Sequence, residues 1–415
     1  MCLVAACPSA AQEVGASLTL DRAVALAITN YPAIKESQAR AAAAAEGIGV
    51  ARTAYLPRLD MLWQSNRATR DNVFGLLLPQ SVVPSISGPA LPTKSFDSVW
   101  GSAAGVLLSW EIFDFGQRRG QVDVARAEAD AARAQTEATR LDVASLAAGA
   151  FLAQLASDAS LRAAQANVDR LQVFAEAVRT LVDNQLRPGA DASRADAELA
   201  VARTELAQVQ QNSTIARATL AAALGVAGTA VSIDSGELQQ LPLPPPQSSL
   251  DVASHPLARA DLAGVEAVRA RERAVEQSYR PHVLFQSALA GRGTGAVVPG
   301  QLWEGSGLWL QVPNWAAGVS VTFPALDLFS VRARSRVELQ NELALRARYD
   351  QTVQNLTTQV ALAQALMTAA TSIAQNTPIE LQAATEAESR ARARYDAGLA
   401  SITEVADTQR LLAQA

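Results

Sequence analysis

The chain carries one structural unit twice, and the spacing of its punctuation shows it. Asn30-Tyr31-Pro32 and Tyr55-Leu56-Pro57 are answered by Ser254-His255-Pro256 and Tyr279-Arg280-Pro281, each 224 positions later. Ala103-Ala104-Gly105-Val106 is answered by Ala316-Ala317-Gly318-Val319, and Asp114 by Asp327, now 213 positions later. The second spacing then holds: Arg133-Ala134 meets Arg346-Ala347, Asp183 meets Asp396 and Leu186 meets Leu399. The one change of spacing, 11 residues, falls between Tyr55 and Ala103 and marks a loop there. Two like modules follow, residues 12–240 and 251–415, joined by a Pro-rich linker at 241–250 that contains Leu241-Pro242-Leu243-Pro244-Pro245-Pro246. A repeat this long restricts the fold to paired, equivalent sectors.

Within each module the hydrophobic period changes in a fixed order. Residues 18–55 read as helix, interrupted at Pro32 and ended at Pro57. Strand-like alternation follows at about 57–68, and again at about 99–113 after a loop rich in Pro, Gly and Ser at 69–97. In that second stretch Trp100, Ala104, Val106, Leu108, Trp110 and Ile112 share one face, while Gly101, Ala103, Gly105, Ser109 and Glu111 share the other. Apolar on one side and small or polar on the other is the pattern of a strand between lipid and lumen. The second module repeats it at about 281–290 and 315–325. All six tryptophans (Trp63, Trp100, Trp110, Trp303, Trp309 and Trp315) lie in or beside these strands, where interface aromatics belong.

Each strand pair leads into a helical hairpin, at about 116–225 and 329–415. No proline occurs between Gly116 and Leu186, so a helix of ~70 residues would make a rod of about 100 Å. Pro378 argues for a kink in the matching rod of the second module. The restart near Asp191 runs about 35 residues, whereas the one near Glu404 has twelve before Ala415, so the chain reads as truncated at its C-terminus.

Composition supports this picture. The chain is 49% hydrophobic but only 5% aromatic, with abundant Ala, which suits closely packed helices better than a globular core. A net charge of −5 gives no nucleic-acid footprint. His255 and His282, the only histidines, lack a ligand cluster, so neither a metal nor a catalytic site is expected. No cofactor motif occurs. Residues 1–11 read as the remnant of a signal peptide, and Val4-Ala5-Ala6-Cys7 makes Cys7 a candidate for lipidation.

Four strands cannot close a barrel, and open edges are not tolerated in lipid. The barrel must therefore be assembled from two chains (eight strands) or three (twelve); twelve leave room for a channel, so the expected architecture is a mixed membrane α+β fold with four transmembrane strands per chain and a twelve-stranded barrel from three chains.

The chain resembles the TolC-like outer-membrane efflux proteins. The likeness is carried by Tyr55-Leu56-Pro57, by Ile112-Phe113-Asp114-Phe115-Gly116-Gln117-Arg118-Arg119, by Ala222-Ala223-Leu224-Gly225 and by Tyr395-Asp396-Ala397-Gly398-Leu399-Ala400-Ser401. The resemblance implies a homotrimeric exit duct whose twelve-stranded outer-membrane barrel is continuous with a long α-helical barrel in the periplasm. It also implies an equatorial segment formed by residues 226–250 and the N-terminus, and partnership with a periplasmic adaptor and an inner-membrane transporter. It places the gate at the helical tips, with Glu404 and Asp407 as acidic aperture positions and Tyr395 and Asp191 as a hydrogen-bonded latch. The family's latch arginine is here Ala400, with Arg187 or Arg194 as replacements. Alternatives are a type I protein-secretion channel and, in a different class, a soluble periplasmic coiled-coil adaptor.

Overall fold

The computed structural model describes residues 17–76, 82–83, 87–92, 94–240, 251–297 and 305–415. Cys7, the linker at 241–250 and Trp303 lie outside the described residues. In chain order the elements are α1 (Leu20–Asn30), α2 (Pro32–Thr53), β1 (Arg58–Thr69), β2 (Ser98–Phe113), α3 (Gln117–Asp183), α4 (Gly189–Ala223), α5 (Pro256–Gln277), β3 (His282–Thr294), β4 (Val312–Thr322), α6 (Leu328–Asp396) and α7 (Ile402–Gln414). They divide into two compact units, one of residues 1–39, 135–258 and 351–415, the other of residues 40–134 and 259–350.

The second unit holds one antiparallel sheet in the order β1-β2-β3-β4. Its register pairs Met61 with Val106, Val106 with Leu289 and Leu289 with Trp315, so one apolar row crosses all four strands. Leu59, Met61, Trp63, Leu289, Trp315, Val319 and Val321 on this face are all exposed. The opposite face carries Leu62, Ala103, Leu107, Ala288, Ala290 and Ala316, which enclose Leu76 and Val83 from the β1–β2 connection. Leu76 and Val83 of that connection, expected as a loop, thus pack on the sheet. β3 runs to Thr294, past the alternation that marks its start, because Gly291 and Gly293 let the chain before β4 pass close by. A Cβ on Gly291 would fall 3.1 Å from the Leu310 side chain.

A buried knot anchors the sheet to its helices. The Asp114 carboxylate accepts from the Arg118 backbone N–H at 2.6 Å and from its Nε at 2.9 Å. Arg118 also donates to the carbonyl of Glu111 at 2.6 Å and lies 4.7 Å from the Tyr55 ring centroid. Trp110 Nε1 donates to the Tyr55 carbonyl at 3.1 Å. Burial alone would raise the Asp114 carboxyl, but the bonds from Arg118 and the Gly116 N–H hold it below the usual aspartate value. The motifs around Tyr55 and Asp114 thus fold onto one another at the sheet end.

In the first unit, Ala23 and Ala27 of α1 and Ile34 of α2 pack on Val143, Ala147 and Phe151 of α3 and on Leu220 of α4. Small side chains let these helices approach closely. Phe151 is fully buried, which stabilises the bundle by about 2–3 kcal/mol. Gly225 ends α4 at φ 71°, where a side chain would press on the Asn30 backbone at 3.1 Å. The segment beyond returns beside the N-terminal strand residue: Leu18 donates to the Ser232 carbonyl at 2.9 Å, and Asp234 donates to the Leu18 carbonyl at 2.8 Å.

α6 runs from Leu328 to Asp396 with Pro378 inside it. The ring removes one backbone bond, to the Ala374 carbonyl. Neighbouring Ile373 and Ile379 are exposed, so solvent reaches the orphaned group and the helix need not break. Along this stretch Leu362, Leu366 and Leu381 are exposed too.

Candidate functional site

The two hairpin turns are built alike. At the first, Gln185 donates to the Val182 carbonyl at 2.8 Å and Leu186 to Leu181 at 2.9 Å. At the second, Gly398 donates to Tyr395 at 2.9 Å and Leu399 to Arg394 at 2.8 Å. Each is a Schellman closure, whose pivot residue must be left-handed. Gly398 adopts φ 77° without strain, but Gln185 is held at φ 59°. Asp191 and Glu404 each occupy the first turn of the helix that follows, where negative charge opposes the helix dipole.

The turns bring the two hairpins together. The Tyr395 hydroxyl donates to Asp191 Oδ2 at 3.0 Å. Arg187 stacks its guanidinium 4.2 Å from the centroid of the Tyr395 ring and donates to the Tyr395 carbonyl. Arg410 of α7 reaches Glu198 of α4 at 3.5 Å. Beneath these links a core of Phe174, Val178, Ala195, Leu199, Ala391, Ile402 and Val405 joins all four helices, and Phe174 meets Tyr395 with ring centroids 6.0 Å apart. Tyr395 is 1% exposed. Burial, reinforced by the Asp191 carboxylate, pushes its phenol up to about 12, so it stays a neutral donor across the physiological range.

The other tip positions behave differently. Glu404 donates its backbone N–H to the Ser401 hydroxyl at 3.4 Å and pairs its carboxylate with Arg394 at 3.0 Å. Asp407 is exposed and lies 3.7 Å from Arg410. Arg187, one of two arginines offered as replacements for the latch cation, is the one that touches Tyr395. Sequence could name the pair but not choose, because the choice depends on the path of the turn. Among the described residues no group of three or more His, Cys, Asp or Glu is placed to hold a metal ion. His255 instead accepts from the Leu257 N–H at 3.3 Å. Among the described residues no helix is long and apolar enough to cross a membrane.

An apolar face on a four-stranded sheet, joined in sequence to paired helical hairpins tied at their turns, defines a conduit rather than a catalyst. The model of the family described as outer membrane efflux protein matches residues 23–226 and 311–415, and the chain belongs to that family. It is a transport channel of the outer membrane, not an enzyme, with its helical barrel in the periplasm. No curated protein matches it. Among solved structures, CusC aligns over 95% of this chain and 86% of its own with a TM-score of 0.76 at 18% identity. The outer-membrane channel OprN aligns over 95% and 84%, with a TM-score of 0.72 at 20% identity. VceC from Vibrio cholerae aligns over 95% and 92%, with a TM-score of 0.68 at 18% identity. These likenesses establish the fold.

Proposed function

We propose that three copies of this chain form an exit duct that passively conducts substrates outward, held shut at rest by its helical tips. The observation that carries the assembly is the sheet. β1 and β4 are its edges, and one of its faces is apolar and exposed. Unpaired edges in lipid cost several kcal/mol per backbone group, so edge must meet edge between copies. Twelve strands enclose a channel, whereas eight leave room for little more than side chains.

Trp100 and Trp110 sit ten residues apart on β2, about 33 Å along a strand. At a tilt of 35–45° that is about 25 Å of height, the thickness of the apolar band of an outer-membrane barrel. They mark the two interfaces; Trp63, Trp309 and Trp315, all strongly exposed, complete the aromatic surface that meets outer-membrane lipid. At the tips, Asp191, Tyr395 and Arg187 latch one hairpin to the other. Glu404 and Asp407, repeated three times, line a cation-attracting aperture. A periplasmic adaptor docks on the hairpins and an inner-membrane transporter supplies the energy. Native mass spectrometry in detergent tests the assembly: three chains are expected, and two would overturn it. Single-channel recording in planar bilayers tests the duct, with a small resting conductance expected.

A further inference from the structure

We infer that Glu46 of one copy pairs with Arg336 of the next, on a helix seam whose charges run opposite to those of its counterpart within the chain. The inference rests on the trimeric duct proposed above and names the side chains by which its copies select each other.

The repeat supplies the template. β2 pairs with β3, and the helices joined to those strands, α3 and α5, pack on one another. Arg271 of α5 donates to Glu128 of α3 at 2.5 Å. A Cβ on Gly120 would fall 3.3 Å from Ala274 Cα, so the two backbones run close. Asp123, Ala270 and Arg273 line the cleft between them. Shifted by the repeat, β2 and α3 become β4 and α6, while α5 and β3 become α2 and β1. α2 and α5 each have 22 residues, so the correspondence is position by position. β4 and β1 are opposite edges of one sheet. The counterpart of the α3–α5 seam therefore forms between copies, where edge meets edge and α2 of one chain lies on α6 of the other.

The faces that would meet are bare in the single chain. Ala267 and Ala270 of α5 are 5% and 4% exposed, but their counterparts Ala43 and Glu46 are exposed, and Val50, the counterpart of Ala274, is 71% exposed. A Cβ on Gly49 would meet nothing within 4 Å. α6 turns Ser335 and Glu342 toward α5, where they reach Glu272 and Arg269. Ala333, Arg336, Val337 and Gln340 lie on the opposite side of the helix, all exposed.

Charge selects the partner. The seam within the chain sets Asp123 and Glu128 of α3 against Arg271 and Arg273 of α5. Between copies the signs reverse: α6 carries Arg336 where α3 has Asp123, and α2 carries Glu46 where α5 has Ala270. Among the described residues neither Glu46 nor Arg336 has an ion pair within the chain. An exposed pair adds little affinity, so its effect is selection. α2 seated on α3 would bring Glu46 to Asp123, and α5 seated on the outer side of α6 would bring Arg273 to Arg336. Like charges disfavour both exchanges.

The test uses the purified full chain in detergent. Val50→Cys with Ala333→Cys, at the counterparts of Ala274 and Gly120, places two thiols across the seam at disulfide distance. Mild oxidation is expected to give a ladder ending at a three-chain species, reversed by a reductant and missing from either single variant. Glu46→Arg and Arg336→Glu are each expected to lower the temperature at which the assembly gives way to monomer on detergent gels. The two together are expected to restore it. A three-chain particle by native mass spectrometry that does not cross-link overturns the seam, and cross-linking without recovery in the double exchange overturns the ion pair. A two-chain particle overturns the trimeric reading instead.

Discussion

The hydroxyl of Tyr395 donates to the carboxylate of Asp191 across 3.0 Å, linking residues 204 positions apart and tying one helical hairpin to the other. Arg187 holds the opposite side of the same ring. A neutral donor, a carboxylate and a stacked cation thus meet at one aromatic side chain, which makes it the natural point at which to loosen the tips.

Tyr395→Phe removes the hydroxyl and keeps the ring. A hydrogen bond to a charged acceptor contributes about 1.5–3 kcal/mol, so the latched population should fall by tenfold or more. Resting conductance in planar bilayers is expected to rise, and Asp191→Ala added to Tyr395→Phe should raise it little further, because the two residues share one bond. Fully additive effects would show that they act separately.

Arg187→Lys keeps the charge but loses the planar stack on Tyr395, and Arg187→Ala loses both. Cation–π contacts contribute roughly 0.5–2 kcal/mol. Resting conductance should rise in the order wild type, Lys, Ala. If Lys matches the wild type, charge alone holds the tip.

The latch should fail in alkali. Tyr395 titrates at about 12 in the folded tip against an ordinary 10.0, so the folded state favours the protonated phenol. Its contribution is complete below pH 10 and is lost as pH rises through 12. Conductance recorded from pH 8 upward is expected to climb in that window in the wild type and to stay flat there in Tyr395→Phe.

The knot at the sheet end makes the opposite prediction. The folded Asp114 carboxyl lies below its ordinary 3.8, so its stabilisation is present above that value and is lost as pH falls through the folded one. Asp114→Asn leaves the Arg118 guanidinium buried and unpaired, at a cost of about 3–5 kcal/mol. A large drop in the thermal midpoint in detergent at neutral pH is expected, and the loss should shrink in strong acid.

The two turns allow an exchange. Gly398→Gln imposes on the second turn the left-handed strain that Gln185 carries in the first, at a cost of about 1 kcal/mol. Gln185→Gly relieves that strain but frees the unfolded chain, for a net gain of a few tenths of a kcal/mol. Differential thermal unfolding of the two variants checks the sign of each.

Much of this was legible in the chain because it depends on local period. Alternation at Leu59, Met61 and Trp63 assigns a face to each residue whatever the strand pairs with, since successive side chains in a strand point to opposite sides. Pro32 marks a helix start because its ring fixes φ and removes its N–H, and Gly225 and Gly398 mark helix ends because glycine takes a left-handed backbone without strain. The repeat placed Asp191 and Glu404 at equivalent helix starts before any fold was known.

What the sequence could not decide were contacts between distant segments. Val82 and Gln286 lie 204 positions apart, and Arg187 reaches Tyr395 across 208. Nothing in the local pattern of residues 69–97 says that Leu76 will fill the space above Gly105 rather than face water. Nor does spacing say whether Arg187 or Arg194 meets the ring. Those outcomes follow from how turns aim side chains and from which cavities the packed sheet leaves open, and neither exists until the tertiary structure has formed.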